Sequence, residues 1–134
     1  MIAIKTKGNN DVINITKEVE EVVEVEEVKD GICFLFVGHS TCGLTTIEFE
    51  PGVVQDLKDA FERLIPRDIE YKHDEKWGDG NGFSHVRASF LKPSLSIPIE
   101  KGKLMLGTWQ QIILVDFDNR PRTRKIIVKM VEVK

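Results

Sequence analysis

Six residues, Ile32-Cys33-Phe34-Leu35-Phe36-Val37, run apolar without a break and give way at once to Gly38-His39-Ser40-Thr41-Cys42-Gly43. A run this short, rich in branched and aromatic residues and bounded by glycine, suits a strand better than a helix. A strand that is apolar on both sides belongs in the middle of a sheet, covered on two faces. The chain must therefore build a sheet around Ile32–Val37 and carry the polar hexapeptide at that sheet's end.

The rest of the sequence supplies the partners. Ile2 to Lys7, Val12 to Ile15, Leu44 to Phe49, Leu95-Ile97-Ile99, Leu104 to Leu106, Ile112 to Phe117 and Lys125 to Val133 read as strands, separated by Gly, Asn, Asp and Lys turn segments. Pro98 points to an edge, because proline cannot donate to a ladder. Thr16 is placed to cap a helix through Val19, Val22 and Val23, which Lys29-Asp30-Gly31 ends. Val53, Val54, Leu57, Ala60, Phe61, Leu64 and Ile65 form one helical stripe between Pro51 and Pro66. Phe83 to Leu91 fits a third helix, with Asn81 as its cap. The expected architecture is α+β: a sandwich-like, mostly antiparallel sheet of six or more strands covered by two or three helices, all in one domain spanning residues 1–134.

Composition narrows the class. Charged residues make up 31% and hydrophobic residues 41% of 134 residues, a globular balance. The net charge of −3 argues against general nucleic-acid binding. No apolar run approaches the ~20 residues of a membrane helix, and the start lacks the features of a signal peptide, so a cytoplasmic protein without membrane partners is expected. Arg120, Arg122, Arg124 and Lys125 form a local basic group. It could hold a phosphate, although a solvated turn is the commoner reading of such a cluster. Cys33 reads as core, and Cys42 is one candidate for a thiolate beside His39.

Chemistry is expected where polar residues interrupt apolar elements. The chain has three histidines, and none sits in an apolar periodic slot. His39 ends the apolar strand, His73 stands beside Asp74 in the long polar stretch 67–82, and His85 follows Asn81 by four residues. Neutral imidazoles are good ligands for a divalent ion, with a carboxylate completing or orienting the set. The same residues could instead hold a phosphate, histidine giving the proton and arginine the counter-charge. Glu48, at a strand end before the Pro51 helix, is the best acid candidate, with Glu50 an equal claimant at the helix start. Gly107-Thr108-Trp109-Gln110 offers a hydroxyl, a flat indole and an amide, a set that suits a flat heterocycle; a β-bulge with a core tryptophan is the alternative.

In chain order, His39-Ser40-Thr41-Cys42-Gly43-Leu44, Glu48, Tyr71-Lys72-His73-Asp74, Asn81-Gly82-Phe83-Ser84-His85, Gly102-Lys103-Leu104-Met105-Leu106-Gly107-Thr108-Trp109-Gln110 and the segment Asp118 to Arg124 resemble the YjbQ-type family, described as secondary thiamine-phosphate synthases. The resemblance covers about Ile32 to Val131. It implies a homotrimer and a small phosphorylated substrate: a pyrimidine diphosphate is joined to a thiazole phosphate with release of pyrophosphate. It also implies a divalent metal, zinc or magnesium, or an anion held by His39, His73 and His85. Glu48, Asp74 and His85 would be catalytic, and Thr41, Asn81, Thr108, Trp109, Gln110 and Arg122 would bind substrate. The sequence departs from the family pattern at Ser40, Cys42 and Ile47, where threonine, alanine and asparagine are usual. A metal-dependent hydrolase of another phosphorylated or acylated molecule, and a non-catalytic binder of an anionic heterocycle, are the alternatives.

Overall fold

The computed structural model describes Met1–Lys134. Its strands and helices are β1 (Ile2–Thr6), β2 (Asp11–Asn14), α1 (Thr16–Glu26), β3 (Asp30–Val37), β4 (Cys42–Glu48), α2 (Pro51–Leu64), α3 (Lys72–Trp77), α4 (Gly82–Leu91), β5 (Ser94–Glu100), β6 (Lys103–Leu104), β7 (Gln110–Asp116) and β8 (Arg122–Glu132). They form a five-stranded sheet in the order β1-β8-β3-β5-β6 and a three-stranded sheet in the order β2-β7-β4. Every pairing is antiparallel. The α+β architecture matches the expectation, and the single sheet of the sequence reading resolves into two.

The two sheets share one core. Cys33, Leu35, Val37, Ile97, Ile99 and Ile126 of the large sheet meet Cys42, Leu44, Ile112 and Leu114 of the small one, and Ile15, Val19 and Val23 close the cluster from the α1 side. The other face of the small sheet packs Ile113 and Val115 against Phe61 of α2, Ile65 just beyond it, Ala88 of α4 and Phe117. The Phe61 and Phe117 rings meet edge to face at 4.8 Å. Ile112 to Val115 are all buried, so β7 is the strand covered on both sides.

That role was expected of β3, and the structure corrects it. β3 is central, between β8 and β5, but its burial alternates. Cys33, Leu35 and Val37 face the core, while Ile32 and Phe34 are 44% and 39% exposed. Helices α2 and α4 lie on the small sheet, and the outer face of the large one is left bare.

Local chemistry explains the ends of the elements. Glu50 caps α2 by accepting from the N–H groups of Gly52 (2.9 Å) and Val53 (2.8 Å), which holds its carboxyl below the usual carboxylate range. Thr16 does not cap α1, because Ile15 takes that position. The Thr16 hydroxyl donates instead to Asn14 Oδ1 (2.7 Å) and accepts from the Ile112 N–H (2.8 Å), stitching helix to sheet. The polar stretch 67–82 is not all loop, since α3 forms within it. Lys101 and Gly102, at φ 54° and 79°, make the two-residue turn from β5 into β6. Arg87 of α4 is fully buried; it donates to the Ile65 carbonyl and to Asn10 Oδ1 and pairs with Glu62, tying α4 to the end of α2 and the β1–β2 turn.

Candidate active site around a buried arginine

The site begins with a carboxylate in a strand. β7 runs apolar from Ile112 to Val115 and ends on Asp116, which is fully buried. A charge removed from water must be paired. Arg124, on β8 and only 4% exposed, donates from Nε to Asp116 Oδ2 (2.7 Å) and from Nη2 to Asp116 Oδ1 (2.8 Å). This is a two-pronged ion pair of the kind the planar guanidinium favours. The same Nη2 reaches Thr41 Oγ1 (2.6 Å), and Thr6 donates to Asp116 Oδ2 (2.5 Å). The solvated-turn reading of this basic cluster therefore fails at Arg124.

Asp118 forms the next layer. Its Oδ2 accepts from Thr41 Oγ1 (2.9 Å) and from Arg122 Nε (3.1 Å). Burial, the largest influence, pushes the Asp118 carboxyl up, but the hydrogen bonds from Thr41 and Arg122 outweigh it and leave it below its ordinary value. Arg122 is thus anchored through Nε, while its side chain stays 35% exposed. Its other guanidinium N–H groups make no hydrogen bond within the protein.

The histidines stand around this base. His39 follows β3, and its Nε2 accepts the Lys125 N–H at 3.3 Å. That hydrogen bond assigns the proton of the neutral ring to Nδ1. Desolvation, then the nearby Arg124, lowers the His39 pKa and favours the neutral form. His85 projects from α4, where desolvation and the neighbouring His73 lower its pKa as well. The His73 and His85 rings are 4.4 Å apart, tilted by 36°. His73 Nδ1 in turn lies 3.2 Å from Asp74 Oδ1 and 3.4 Å from Asp79 Oδ1. Asp74 Oδ1 also accepts the Gly82 N–H (2.9 Å). Only glycine allows that approach, since a Cβ at position 82 would stand 2.5 Å from Tyr71 Cβ.

Together these groups enclose a hollow of about 350 Å³ with no apolar lining residue. His39, Ser40, His85 and Arg122 face it, with Thr41, Asp118 and Arg124 at its base and Asp79 and Asn81 on its wall. Asn81 stands at the cap position of α4, but its Oδ1 accepts from Ser84 Oγ (2.6 Å) and from the Asn119 N–H (3.1 Å). It pins the β7–β8 loop to the helix instead of capping it. Cys42 lies beneath, its thiol pushed up to about 12 by burial, so it supplies no thiolate.

Not all expected site residues gather here. Thr41, Asn81, Arg122, His39 and His85 share the hollow, and His73 and Asp74 adjoin it through His85. Glu48, Thr108, Trp109 and Gln110 lie elsewhere. Cys42 pairs with Asp116 at one end of the β4–β7 ladder and Glu48 with Gln110 at the other, about 20 Å away at ~3.3 Å per residue. Trp109 is 72% exposed, so it is not a core tryptophan either. The ligand atoms of His73, Asp74 and Asp79 lie within 4.8 Å of one another; His39 and His85 are not in that group. Asp116, Asp118 and Asp79 were missed as site residues. Asp116 carried a signal, because a carboxylate interrupts an apolar strand there.

The family model described as UPF0047 protein YjbQ-like matches residues 1–133. The chain belongs to the YjbQ family. A UPF0047 protein of Archaeoglobus fulgidus is 40% identical over 128 residues, covering 96% of this chain and 97% of the relative. The YugU protein of Bacillus subtilis is 33% identical, covering 96% of each. Among solved structures, a YbjQ-like protein of unknown function from Sulfolobus solfataricus superposes with a TM-score of 0.89 at 32% identity, covering 98% of this chain and 96% of its own. A YjbQ/UPF0047 protein of Clostridium acetobutylicum gives 0.86 at 38% identity, covering 98% and 100%. As a YjbQ-family fold, the chain has no helix long and apolar enough to cross a membrane.

Proposed function

We propose that this YjbQ-family chain is a cytoplasmic enzyme for a small phosphorylated substrate, whose phosphate sits between His39, Ser40, His85 and Arg122. One observation carries the reading: the hollow turns donors outward and keeps its carboxylates engaged. Asp116 and Asp118 are occupied by Arg124, Thr6, Thr41 and Arg122, and Asp79 accepts from Asn81 N–H (3.2 Å) beside His73. Free Arg122 N–H groups, the Ser40 hydroxyl and His39 Nδ1–H match an anion's acceptor oxygens.

The reaction implied by the family resemblance suits such a site. A thiazole nitrogen forms a bond to the methylene carbon of a pyrimidine diphosphate, the carbon–oxygen bond breaks, and pyrophosphate departs with the electron pair. Charge grows on the leaving group, so donors fixed in advance by Asp118 and Lys125 stabilise the transition state without reorganising. His85, kept neutral by desolvation and by His73, would give the departing oxygen a hydrogen bond from its ring N–H. His73, Asp74 and Asp79 offer one nitrogen and two carboxylates, a donor set suited to zinc or magnesium. A divalent ion bound there would supply further electrostatic stabilisation.

The test supplies both substrates to the purified protein and looks for thiamine phosphate. Product formed by the native chain and lost in His85→Ala is expected, and no product above that control sinks the reading. The His73–Asp74–Asp79 group also favours a metal-dependent hydrolase, which metal analysis and a screen of phosphate esters would separate from the first. The homotrimer implied by the resemblance is supported by the bare outer face at Ile32, Phe34 and Val131. A stable monomer in a solution mass measurement would refute it.

A further inference from the structure

The strand end that carries His39 borders two hollows. Beside the polar one lies a second, of about 400 Å³, walled by Phe36, Cys42, Ala88, Ser89 and Pro93. The two meet along Gly38, His39 and Ser40, which line both. Their chemistry is opposite. The polar hollow has no apolar lining residue, whereas no lysine, arginine, aspartate or glutamate lines its neighbour. The passage between them is open, because a Cβ at Gly38 would meet only Phe36 Cε1, at 3.5 Å.

The walls of the apolar hollow are fixed by backbone. Where α4 hands the chain to β5, the Lys92 carbonyl accepts the Leu44 N–H (3.0 Å) and the Pro93 carbonyl accepts the Val37 N–H (2.9 Å). The Lys92-Pro93 link thus straps β3 to β4. Lys92 holds φ at 87°, which a side chain disfavours, so the strap is kept in place by its bonds. A Cβ at Gly43 would stand 2.8 Å from the Lys92 carbonyl, so the strap lies directly on β4. Cys42 and Ala88, 1% and 6% exposed, form the floor. Alanine is usual in the family at position 42, and the sulfur here adds a soft, polarisable surface.

A phosphate ester seated between His39, Ser40, His85 and Arg122 must send its organic group out of the polar hollow. The apolar hollow adjoins that seat, while the hollows at α1 and at Trp109 share no lining residue with it. A charged group in the apolar hollow would lose water without gaining a counter-charge. Resting on the reading that phosphate occupies the polar hollow, we propose that the uncharged, apolar body of the substrate lies against Phe36, Cys42, Ala88 and Pro93. The chain then selects phosphate esters of aromatic or short hydrocarbon groups over those of charged ones.

Calorimetry with methyl phosphate, benzyl phosphate and phosphoethanolamine tests this. Benzyl phosphate should bind at least about tenfold tighter than methyl phosphate, through burial of its ring. Phosphoethanolamine, with its ammonium group, should bind no tighter than methyl phosphate. The Ser89 hydroxyl bonds only within its own helix, to the His85 carbonyl (3.0 Å), at an exposed position. Ser89→Phe should therefore fill the hollow and bring benzyl phosphate to within about twofold of methyl phosphate. Arg122→Met should weaken both esters by the same factor. Contact is read from Ser89→Cys, because both native thiols are buried. Benzyl phosphate should slow its reaction with a disulfide reagent at least about fivefold, and methyl phosphate should not. Equal affinity for benzyl and methyl phosphate, with both weakened by Arg122→Met, overturns the apolar subsite and leaves the phosphate reading standing. So does a benzyl preference that survives Ser89→Phe, or phosphoethanolamine binding as tightly as benzyl phosphate. Absence of binding by every probe, or indifference to Arg122→Met, overturns both readings. A Ser89→Cys thiol that is unreactive in the free protein would show a second copy of the chain over the hollow, and would overturn the subsite as well.

Discussion

One ladder, β4 with β7, ends in two opposite kinds of surface. At the Cys42–Asp116 end, charge is buried and every carboxylate has several partners. At the Glu48–Gln110 end, Phe49 and Trp109 are exposed and Glu48 has no ion-pair partner. The difference teaches where rigidity comes from. A buried ion must be paired or the fold loses several kcal/mol, so the first end is fixed by electrostatics and its removal would be felt throughout the protein. The second end is fixed by a few backbone and amide hydrogen bonds among Gly107, Gln110 and Thr46, so its side chains can change with little effect on stability.

Four experiments bear on that contrast, in falling order of effect. Arg124→Met leaves Asp116 and Asp118 without their buried counter-charge and should cost about 3–5 kcal/mol in urea denaturation. A loss below about 1 kcal/mol would break the contrast. Asp118→Asn should cost about 1–3 kcal/mol through the hydrogen bonds of Thr41 and Arg122. It should also weaken pyrophosphate binding by calorimetry, because Arg122 loses its anchor. Unchanged binding would show that Arg122 is held by something else.

Acid should act next, and in one direction. His39 and His85 have pKa values below their ordinary 6.5 in the folded chain. The unfolded chain therefore binds more protons just below pH 6.5, and their contribution to stability is lost as pH falls through the folded values. Asp118 is also held low, so its contribution, present above its ordinary 3.8, is lost only at more acid pH. Denaturation midpoints should fall first below about pH 6.5, and the first step should vanish in a His39→Gln, His85→Gln double variant. The smallest effect belongs to Trp109→Ala, which should leave stability within about 0.5 kcal/mol. A larger loss would mean that the exposed end is load-sharing after all.

Much of the fold was legible because periodicity is local. The strand segments and the Pro51 helix could be read from alternation and from the apolar stripe, and Gly, Pro and Asn marked the turns. The reading of β3 as doubly covered failed for a definite reason. An apolar run looks the same whether other elements cover both its faces or only one. The site was legible in part. His39 and His85 stood out as histidines in polar segments, Thr41 and Arg122 through the family resemblance, and all four do share a hollow. Trp109 and Glu48 stood out equally, and distance along β4 separates them from it. Asp116 and Arg124 were harder to see, since each looks like a surface charge until a partner from another strand is brought alongside.

By itself the sequence determined which segments become strands, which become helices and where the chain turns. All of these depend on neighbours within a few residues. The tertiary structure alone decided which polar residues meet. Contacts such as Arg124 with Thr41, 83 positions apart, and Thr6 with Asp116, 110 apart, depend on strand order and register, which no local pattern encodes.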